Sequence, residues 1–447
     1  MKLKRKFSQT RIIALGFISI IALGTILLML PVASASGESA DFVTALFTAV
    51  SSSCVTGLVV ADTATSWSLF GQIVIICLIQ VGGLGFMTIA TLFSMLLKKK
   101  MGLRAREIMV ESINTEHIGG IAKLTGKIAA GTAIFEGAGA LLLATRFIPR
   151  FGWGKGIYYA VFHSVSAFCN AGFDLMGAYY GKYCSFVEFS DDWAVILTLS
   201  ALIIIGGIGF LVWDDISVKK LKIKRYQLHT KLVLTVTAIL LVVPAILFFI
   251  FERDFTNEGL TFGHSLLNSI FDSVTARTAG MNSTDTASLS PASKILTVFL
   301  MFIGGSPGST AGGIKTTTLA VIAISTFNGI TRRQSKGIFG RRLEKDAIHK
   351  ASSVVFTNMS LAVFGIIAIL AMQPYLDIGD VLFECASAIG TVGMTTGITR
   401  DLATASRLII AFLMFCGRVG SVSFALALME KKAAPPVKNP REKITIG

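Results

Sequence analysis

Eight stretches of predominantly apolar residues, each long enough to cross a lipid bilayer, divide this sequence. They cover residues 12–33, 71–97, 121–146, 193–213, 229–251, 294–328, 351–373 and 406–429. A transmembrane helix needs about 20 such residues, and only helices or closed barrels pair all backbone groups within lipid. Only 15% of the residues are charged, against about 25% in soluble proteins. The sequence therefore predicts an all-α membrane protein with eight transmembrane helices.

The formal net charge of +15 does not indicate a nucleic-acid-binding protein, because the basic residues stand in short segments between the apolar stretches. Segment 12–32 follows a basic N-terminus and precedes Ala33-Ser34-Ala35, which resembles a signal-peptide cleavage site. It is longer than the ~7–15 apolar residues of a signal peptide, so we predict a retained first helix. The six cysteines show no C-x-x-C spacing, and neither a disulfide nor a metal site is predicted.

A shorter segment separates the two members of each pair of apolar stretches. The four segments cover about 41–57, 156–172, 262–280 and 378–393. Each begins with a helix-like pattern, carries Ser or Thr in its middle, and ends in small residues and a glycine. These glycines are Gly57, Gly172, Gly280 and Gly393. Gly-rich runs recur in all four helices that follow, so the chain is predicted to form four pseudo-symmetric repeats of helix, re-entrant pore loop and helix.

The predicted boundaries follow from this repeat. Repeat 1 covers residues 12–97, repeat 2 covers 121–213, repeat 3 covers 229–328 and repeat 4 covers 351–429. The connecting loops are 98–127, which includes the start of repeat 2, 214–231 and 329–350. With the terminal segments 1–11 and 430–447 they hold 30 of the 41 lysines and arginines. Cytoplasmic segments carry such an excess, which predicts cytoplasmic termini and loops that re-enter from outside.

Re-entrant backbone is tolerated within a membrane only where it is buried or lines water. Four loops that present backbone carbonyls to one axis can replace the water around a cation such as K⁺. A glycine in each loop permits backbone angles that are closed to other residues. The negative end of each half-helix dipole would face the cation. The alternative is that the four glycines form ordinary tight turns in external loops.

The four loops, the eight helices and the glycine-rich sixth helix resemble the Ktr/Trk/HKT superfamily of K⁺ transporters. The resemblance covers about residues 11–430 and points to the membrane (pore) subunit of the bacterial Ktr potassium uptake system. It implies a K⁺-channel-like, multi-pass protein of the bacterial plasma membrane. Some plant members carry Ser in the first repeat and favour Na⁺, so Gly57 favours K⁺. The resemblance implies that K⁺ binds in a selectivity filter formed by Val55, Thr56, Gly57, Asn170, Ala171, Gly172, Thr278, Ala279, Gly280, Thr391, Val392 and Gly393.

The same resemblance implies partners. It implies a homodimer of the membrane subunit and a separate ring of cytosolic nucleotide-binding regulatory subunits of the RCK/KTN type. This ring would dock on the basic loops 98–127, 214–231 and 329–350, although contact with anionic membrane lipid also explains basic loops. No cofactor is expected on this chain. K⁺ is the expected transported ion, and a role for Na⁺ as an activator stays open.

Segment 304–318 interrupts the sixth apolar stretch with more glycine, plus a proline, than a continuous helix tolerates. A flexible polar segment below the filter could place Lys315 where its charge repels K⁺. The superfamily has an intramembrane gating loop at this position. The predicted gating residues are Gly304, Gly305, Ser306, Gly308, Gly312, Gly313, Lys315 and Arg418. The alternative is a structural kink with Lys315 extended toward the cytoplasm.

Charged residues at membrane depth are candidates for function. The resemblance puts Arg418 near the gating loop. Arg277 precedes the third loop glycine by three residues and is predicted to brace the filter backbone, with Asp272 and Glu384 as candidate partners. A structural role is the alternative for each of them. Acidic residues also follow each loop glycine, either to concentrate cations or as ordinary solvated residues. These are Asp62, Asp174, Asp285 and Asp401.

No catalytic constellation is present in the sequence, so no enzyme activity is predicted. Residues 308–313 begin like a phosphate-binding loop, but Ile314 precedes Lys315 and breaks the pattern, so no nucleotide site is predicted. One alternative function is that of a Na⁺-selective member of the superfamily. Another is a secondary transporter of an organic solute, which needs paired discontinuous helices in two inverted halves. The sequence indicates only one clearly broken helix.

Overall fold

The computed structural model describes residues 9–96, 108, 121–220, 222–331 and 345–420. Within this part every regular element is a helix, and β-type pairing is limited to two isolated bridges, Ser34 with Trp67 and Ile303 with Ile314. The predicted cytoplasmic segments 1–11, 98–127, 329–350 and 430–447 lie wholly or partly outside the described residues. The described helices nonetheless cover all four repeats.

Each repeat begins with a long apolar helix. These first helices are α1 (Gln9–Leu28), α5 (Ile121–Phe151), α9 (Leu228–Phe251) and α13 (Lys345–Met372), and all four are long and apolar enough to cross a membrane. They carry large exposed apolar side chains, such as Leu141, which is 74% exposed, and Phe364, which is 64% exposed. Such exposure is unfavourable in water and is the expected surface of a helix that faces lipid.

A shorter helix follows in each repeat and is mostly buried. These pore helices are α2 (Phe42–Cys54), α6 (Trp153–Phe168), α10 (Phe262–Thr275) and α14 (Ile378–Gly390). Three of them begin at a residue whose side chain accepts hydrogen bonds from the first-turn amides: Asp41, Thr261 and Asp377. At 13 to 16 residues they are too short to span a bilayer and end within it.

The second helix is interrupted in repeats 1, 2 and 3, within the described residues. In repeat 1, α3 (Leu69–Leu84) and α4 (Phe86–Leu96) meet at Gly85, and in repeat 2, α7 (Trp193–Ile208) and α8 (Phe210–Lys219) meet at Gly209 with a 93° bend. In repeat 3 a loop separates α11 (Pro291–Phe302) from α12 (Thr316–Ile330). In repeat 4, α15 (Thr404–Val419) ends at Gly420, close to the limit of the described residues.

The prediction of a single broken helix was therefore wrong. The residues at the breaks in repeats 1 and 2 have positive φ angles, 79° at Gly85 and 104° at Gly209, which no α-helix accommodates. The Gly-rich runs in the sequence contained this signal. As a result, only the first helices and the bent pair α7–α8 meet the length of a membrane span within the described residues.

The four repeats close into a ring. The second helix of each repeat packs against the pore helix of the next: α3 against α6, α7 against α10, α11 against α14, and α15 back against α2. Glycines allow backbone contact between the second helix and the pore helix within three of the repeats. A Cβ added at these second-helix glycines would lie 2.0–2.2 Å from a carbonyl oxygen of the same repeat. That carbonyl belongs to the residue four positions before the glycine of the re-entrant loop. The pairs are Gly82 with Ser53, Gly206 with Phe168, and Gly417 with Ile389.

Candidate ion-conduction site

The four loops that follow the pore helices share an unusual backbone conformation. The residue two positions before each loop glycine has a positive φ angle: 59° at Val55, 59° at Asn170, 75° at Thr278 and 52° at Thr391. Three of these residues are β-branched, and a positive φ is a genuine outlier for a β-branched side chain. Strain of this kind persists only where the surrounding structure over-determines it, and it concentrates at functional sites.

The four loop glycines lie against one another's backbone in a closed ring. A Cβ added at Gly57 would lie 2.6 Å from the carbonyl oxygen of Ala171 in the next repeat. The same contact continues around the axis, from Gly172 to Ala279 at 2.8 Å, from Gly280 to Val392 at 2.2 Å, and from Gly393 to Thr56 at 2.2 Å. We call these four glycines and four carbonyls the glycine ring. Any side chain at these positions would collide with the carbonyl of the neighbouring loop.

Hydroxyl groups in the last turn of each pore helix hold the loops in place. The Oγ atoms of Ser51 and Ser387 accept hydrogen bonds at 3.1 Å from the amides of Gly57 and Gly393. In repeats 2 and 3 the hydroxyl instead donates to a carbonyl one residue after the loop glycine. These bonds are Ser166 to Phe173 at 2.7 Å and Thr275 to Met281 at 2.6 Å. The Ser and Thr residues noted in the sequence therefore fix the loop backbone by two different hydrogen-bond patterns.

One face of the glycine ring opens into a cavity of about 170 Å³. All four loop glycines line it, together with Asp62, Asp174 and Asp285, whereas Asp401 does not. Asp62 is also structural, because its carboxylate accepts hydrogen bonds from the amides of Ala64, Thr65 and Tyr183. Three of the four acidic residues singled out in the sequence thus converge on this vestibule.

The opposite face of the glycine ring meets the interruption in repeat 3. Residues 303–315 form a loop whose ends are joined by the parallel Ile303–Ile314 bridge, with a 2.8 Å hydrogen bond from the Gly304 amide to the Ile314 carbonyl. We call it the intramembrane loop. A Cβ added at Gly312 would lie 2.1 Å from the Thr391 hydroxyl, so this loop lies directly against the loop of repeat 4.

Two further contacts join the intramembrane loop to the loops of repeats 2 and 3. The Thr310 hydroxyl donates to the Phe168 carbonyl at 3.2 Å and lies 3.2 Å from the Asn170 side-chain amide. That amide in turn lies 3.1 Å from the Thr278 hydroxyl. The sequence did not single out Thr310, because its role depends on contacts with residues about 140 positions away.

Lys315 does not extend away from the intramembrane loop. Its Nζ atom donates to the carbonyls of Ala311 at 2.6 Å and Gly312 at 3.3 Å. The ammonium is thus folded back onto the loop backbone, and the alternative in which it extends toward the cytoplasm is not the arrangement found.

Arg418 connects three elements. Its guanidinium donates hydrogen bonds to the Thr310 carbonyl in the intramembrane loop and to the carbonyls of Gly82 and Gly83 in α3, the last at 3.0 Å. The planar guanidinium has five donors in a fixed arrangement, which suits it to bridge carbonyls on separate elements.

The interactions predicted for Arg277 were wrong. Its side chain is buried, its Nε atom has no hydrogen-bond partner, and it pairs with neither Asp272 nor Glu384 among the described residues. Asp272 instead accepts a hydrogen bond from the Thr284 hydroxyl at 3.0 Å. Glu384 accepts hydrogen bonds at 2.7 and 2.5 Å from two threonine hydroxyls of its own repeat. Both acids therefore hold the segment that follows their own loop glycine.

The four helical repeats place their re-entrant loops in the glycine ring, and the intramembrane loop lies on one side of it. This arrangement is that of pore-loop membrane proteins that conduct cations. The comparisons with known proteins agree with this class. The chain belongs to the TrkH family, described as cation transport proteins, whose model matches residues 4–434. It is thus a multi-pass membrane protein of a transport family and not an enzyme.

Relatives of known name match almost the entire chain. The potassium/sodium uptake protein NtpJ of Enterococcus hirae is 43% identical and covers 100% of this chain and 99% of its own length. The Ktr system potassium uptake protein B of Bacillus subtilis is 40% identical over 94% of this chain and 93% of its own length. The protein of the same name from Vibrio alginolyticus is 34% identical over 99% of this chain and 96% of its own length.

A solved structure confirms the fold. The crystal structure of the potassium transporter TrkH from Vibrio parahaemolyticus superposes with a TM-score of 0.74 at 16% identity. The match covers 96% of this chain and 86% of that one. This match confirms the predicted all-α membrane fold with helix–pore loop–helix repeats. The family model and the relatives confirm the resemblance to the Ktr/Trk superfamily.

Proposed function

We propose that this chain carries K⁺ into a bacterial cell across the plasma membrane, through the axis of the glycine ring. The observation that carries this proposal is the closed ring itself, in which each loop glycine touches the carbonyl that precedes the next loop glycine. Rings of backbone carbonyls replace the hydration shell of K⁺ in cation-selective pores. The names of the relatives, which include potassium uptake proteins, support the same ion.

The filter would consist of the three residues that end each loop. The pore helices end at Cys54, Phe168, Thr275 and Gly390, separated from these residues by none to two others, so the negative ends of four helix dipoles converge on the ring. A cation at the axis would gain from these dipoles and from the carbonyls. The vestibule carboxylates of Asp62, Asp174 and Asp285 would raise the local cation concentration at the mouth.

The intramembrane loop would act as the gate. It lies against the first loop residues of repeats 2, 3 and 4, and Arg418 and Lys315 add two cationic groups beside it. Displacement of this loop would open the path that leads from the ring to the other side. Net uptake would be driven by the membrane potential, which supplies about 2.3 kcal/mol per charge per 100 mV.

We also make proposals on the orientation in the membrane, the partner subunits and the role of Na⁺. We infer that both termini are cytoplasmic, from the distribution of lysine and arginine. The names of two relatives as members of a Ktr system support partner subunits, and we propose that these are a second copy of this chain and a ring of nucleotide-binding regulatory subunits. A requirement for Na⁺ is supported only by the potassium/sodium name of the Enterococcus relative.

That same name favours one alternative, a chain that prefers Na⁺ or carries both ions. Competition decides between them: excess Na⁺ abolishes Rb⁺ uptake if the ring prefers Na⁺ and leaves it nearly unchanged if the ring prefers K⁺. The organic-solute transporter is disfavoured, because the described breaks recur in the second helices of repeats 1, 2 and 3 rather than in two inverted halves.

The test is K⁺ uptake in a bacterium that lacks its own uptake systems, with the wild type beside Gly57→Ser. The serine Cβ would meet the Ala171 carbonyl, so we expect growth at low K⁺ for the wild type and loss of the K⁺-over-Na⁺ preference for the variant. Gly37→Ser is the matched control, because Gly37 has φ 77° but no atom within 4 Å of an added Cβ. If the wild type moves no K⁺ even with a regulatory subunit present, the proposal fails.

A further inference from the structure

Helix α8 is directly attached to the intramembrane loop. At the 93° bend between α7 and α8, the Phe210 amide donates to the Gly308 carbonyl at 2.7 Å. A Cβ added at Gly209 would lie 2.8 Å from the Pro307 carbonyl. The first turn of α8 and the intramembrane loop are thus in backbone contact, and a change in the angle of α8 would be transmitted to the loop.

A large apolar cavity lies between α5 and the bent pair α7–α8. Its volume is about 610 Å³, within the ~300–1,000 Å³ of ordinary ligand sites. Side chains of α5, α7 and α8 line it, among them Ile128, Phe135, Ile205, Phe210, Trp213 and Ile216. Its charged and hydroxyl side chains are those of Lys127, Asp214 and Ser217, and the Trp213 indole N–H donates to the Ile205 carbonyl at 3.1 Å.

The surface that continues from this cavity faces lipid. Gly131 and Ile134 line the cavity, and Leu141 follows Ile134 by seven residues on the same face of α5. Ile134 is 66% exposed and Leu141 is 74% exposed, on a helix long and apolar enough to span the membrane. The medium next to the cavity is therefore the hydrocarbon of the bilayer, in which acyl chains are the abundant apolar molecules.

The ion pair at the rim does not fix the bend by itself. Lys127 Nζ lies 2.5 Å from the Asp214 carboxylate and links α5 to α8, but the two side chains are 46% and 39% exposed. Exposed pairs of this kind contribute little to stability. A molecule that filled the cavity would touch both helices over an apolar surface and would be better placed to set the angle of α8.

We propose that this cavity holds an acyl chain of a membrane phospholipid, and that its occupancy sets the angle of α8 and thereby the position of the intramembrane loop. The phospholipid headgroup lies at the rim beside Lys127. The proposed binding of the acyl chain does not depend on the proposed function, whereas its effect on conduction rests on the function proposed above.

The binding test uses Trp213 as the reporter in vesicles of brominated phospholipid, whose bromine atoms quench nearby tryptophan. The Trp213 signal is the difference between the wild type and Trp213→Phe. Gly131→Leu would fill the cavity, because a Cβ at this position already lies 3.1 Å from the Trp213 ring. Gly137→Leu is the matched control on the same helix, since nothing lies within 4 Å of its added Cβ.

We expect strong quenching of Trp213 in the wild type and in Gly137→Leu, and a loss of at least half of that quenching in Gly131→Leu. Equal quenching in the two variants would overturn the site. Absence of quenching in the wild type would mean that another occupant, such as the segment 97–120 of this chain, fills the cavity. Quenching by added brominated fatty acid but not by phospholipid would overturn the identity of the ligand.

The second measurement is K⁺ flux in the same vesicles. Gly131→Leu should change the flux at least threefold relative to Gly137→Leu and should remove its dependence on acyl-chain length. Equal flux in the two variants, with quenching lost only in Gly131→Leu, would overturn the coupling to the intramembrane loop. If neither variant nor the wild type carried K⁺ while quenching still differed, the phospholipid site would stand and the proposed function would fail instead.

Discussion

The guanidinium of Arg418 donates a hydrogen bond to the backbone carbonyl of Thr310, across 108 positions of sequence. This bond joins the last described helix to the intramembrane loop, and the bonds from Arg418 to the carbonyls of Gly82 and Gly83 extend the connection to repeat 1. Arg418 thus holds the loop from one side, while Thr310 uses its hydroxyl to hold the loop of repeat 2 from the other.

Replacement of Arg418 by Gln should release the intramembrane loop and increase K⁺ flux. Hydrogen bonds from charged groups contribute about 1.5–3 kcal/mol each, so we expect at least a tenfold rise in flux into vesicles. Arg407→Gln is the control, because Arg407 lies on the same helix but is bonded to the Arg400 carbonyl, outside the loop. Equal flux in both variants would contradict a restraining role for Arg418.

The four loop glycines should differ in their tolerance of alanine. An added Cβ would lie 2.2 Å from a carbonyl at Gly280 and Gly393, but 2.8 Å at Gly172. We expect Gly280→Ala and Gly393→Ala to abolish growth at low K⁺, and Gly172→Ala to retain part of it. Gly37→Ala, at positive φ in open space, controls for backbone strain. A reversed order of severity would argue against the ring geometry.

Thr310→Val keeps the shape of the side chain and removes its hydroxyl. The Phe168 carbonyl then loses a buried donor, which costs about 1–3 kcal/mol and loosens the intramembrane loop. We expect faster K⁺ flux and a lower unfolding temperature. Thr331→Val is the matched control, because the Thr331 hydroxyl bonds only within an exposed helix end. The idea would fail if both variants changed flux equally.

His163 should be needed for the shape of the second loop. Its ring is fully buried on α6, with Nδ1 2.7 Å from the Tyr159 carbonyl and Nε2 accepting a hydrogen bond at 3.0 Å from the Leu175 amide. His163→Phe leaves the Leu175 amide without an acceptor. This loss should destabilise the protein by about 1–3 kcal/mol and weaken K⁺ selectivity. His163→Gln restores an acceptor and should recover part of both. Similar losses in the two variants would point to packing instead.

Glu252 gives a prediction for pH. It follows the end of α9 and is fully buried. Burial raises the pKa of its carboxyl, but the hydrogen bonds that it accepts from Ser290 and Thr256 outweigh burial and hold the pKa below its usual range. A lowered folded-state pKa contributes stability above the unfolded-state pKa of about 4.3, and this contribution is lost as pH falls through the folded value.

As pH falls from neutral to below about 4.3, the unfolding temperature of the wild type should therefore drop more than that of Glu252→Gln. Glu258→Gln, an exposed neighbour, should follow the wild type. If the unfolding temperatures of the wild type and of Glu252→Gln changed in parallel with pH, the hydrogen bonds to Glu252 would not favour its ionised form.

Periodicity and composition were sufficient to predict the membrane fold. The apolar stretches that became α1, α5, α9 and α13 needed no tertiary information, because lipid forces the backbone into helices and their length is set by the bilayer. The repeat of Gly57, Gly172, Gly280 and Gly393 also predicted four equivalent loops, since only glycine permits both the backbone angle and the close approach. The break at Gly209 was missed, because a Gly-rich run within an apolar stretch does not by itself distinguish close helix packing from a bend.

Contacts across the ring were decided only by the tertiary structure. Arg277 illustrates the limit: its proximity in sequence to Gly280 suggested a brace, yet Asp272 and Glu384 bond to threonines of their own repeats and leave it unpaired. Thr310 and Phe210 carried no sequence signal at all, because their partners lie on other repeats. The sequence alone determined which segments cross the membrane and where the four loops lie, through local chemistry that lipid and backbone geometry impose. Which side chains meet beneath the ring depended on how the four repeats close around one axis, and that closure places residues far apart in sequence within hydrogen-bonding distance.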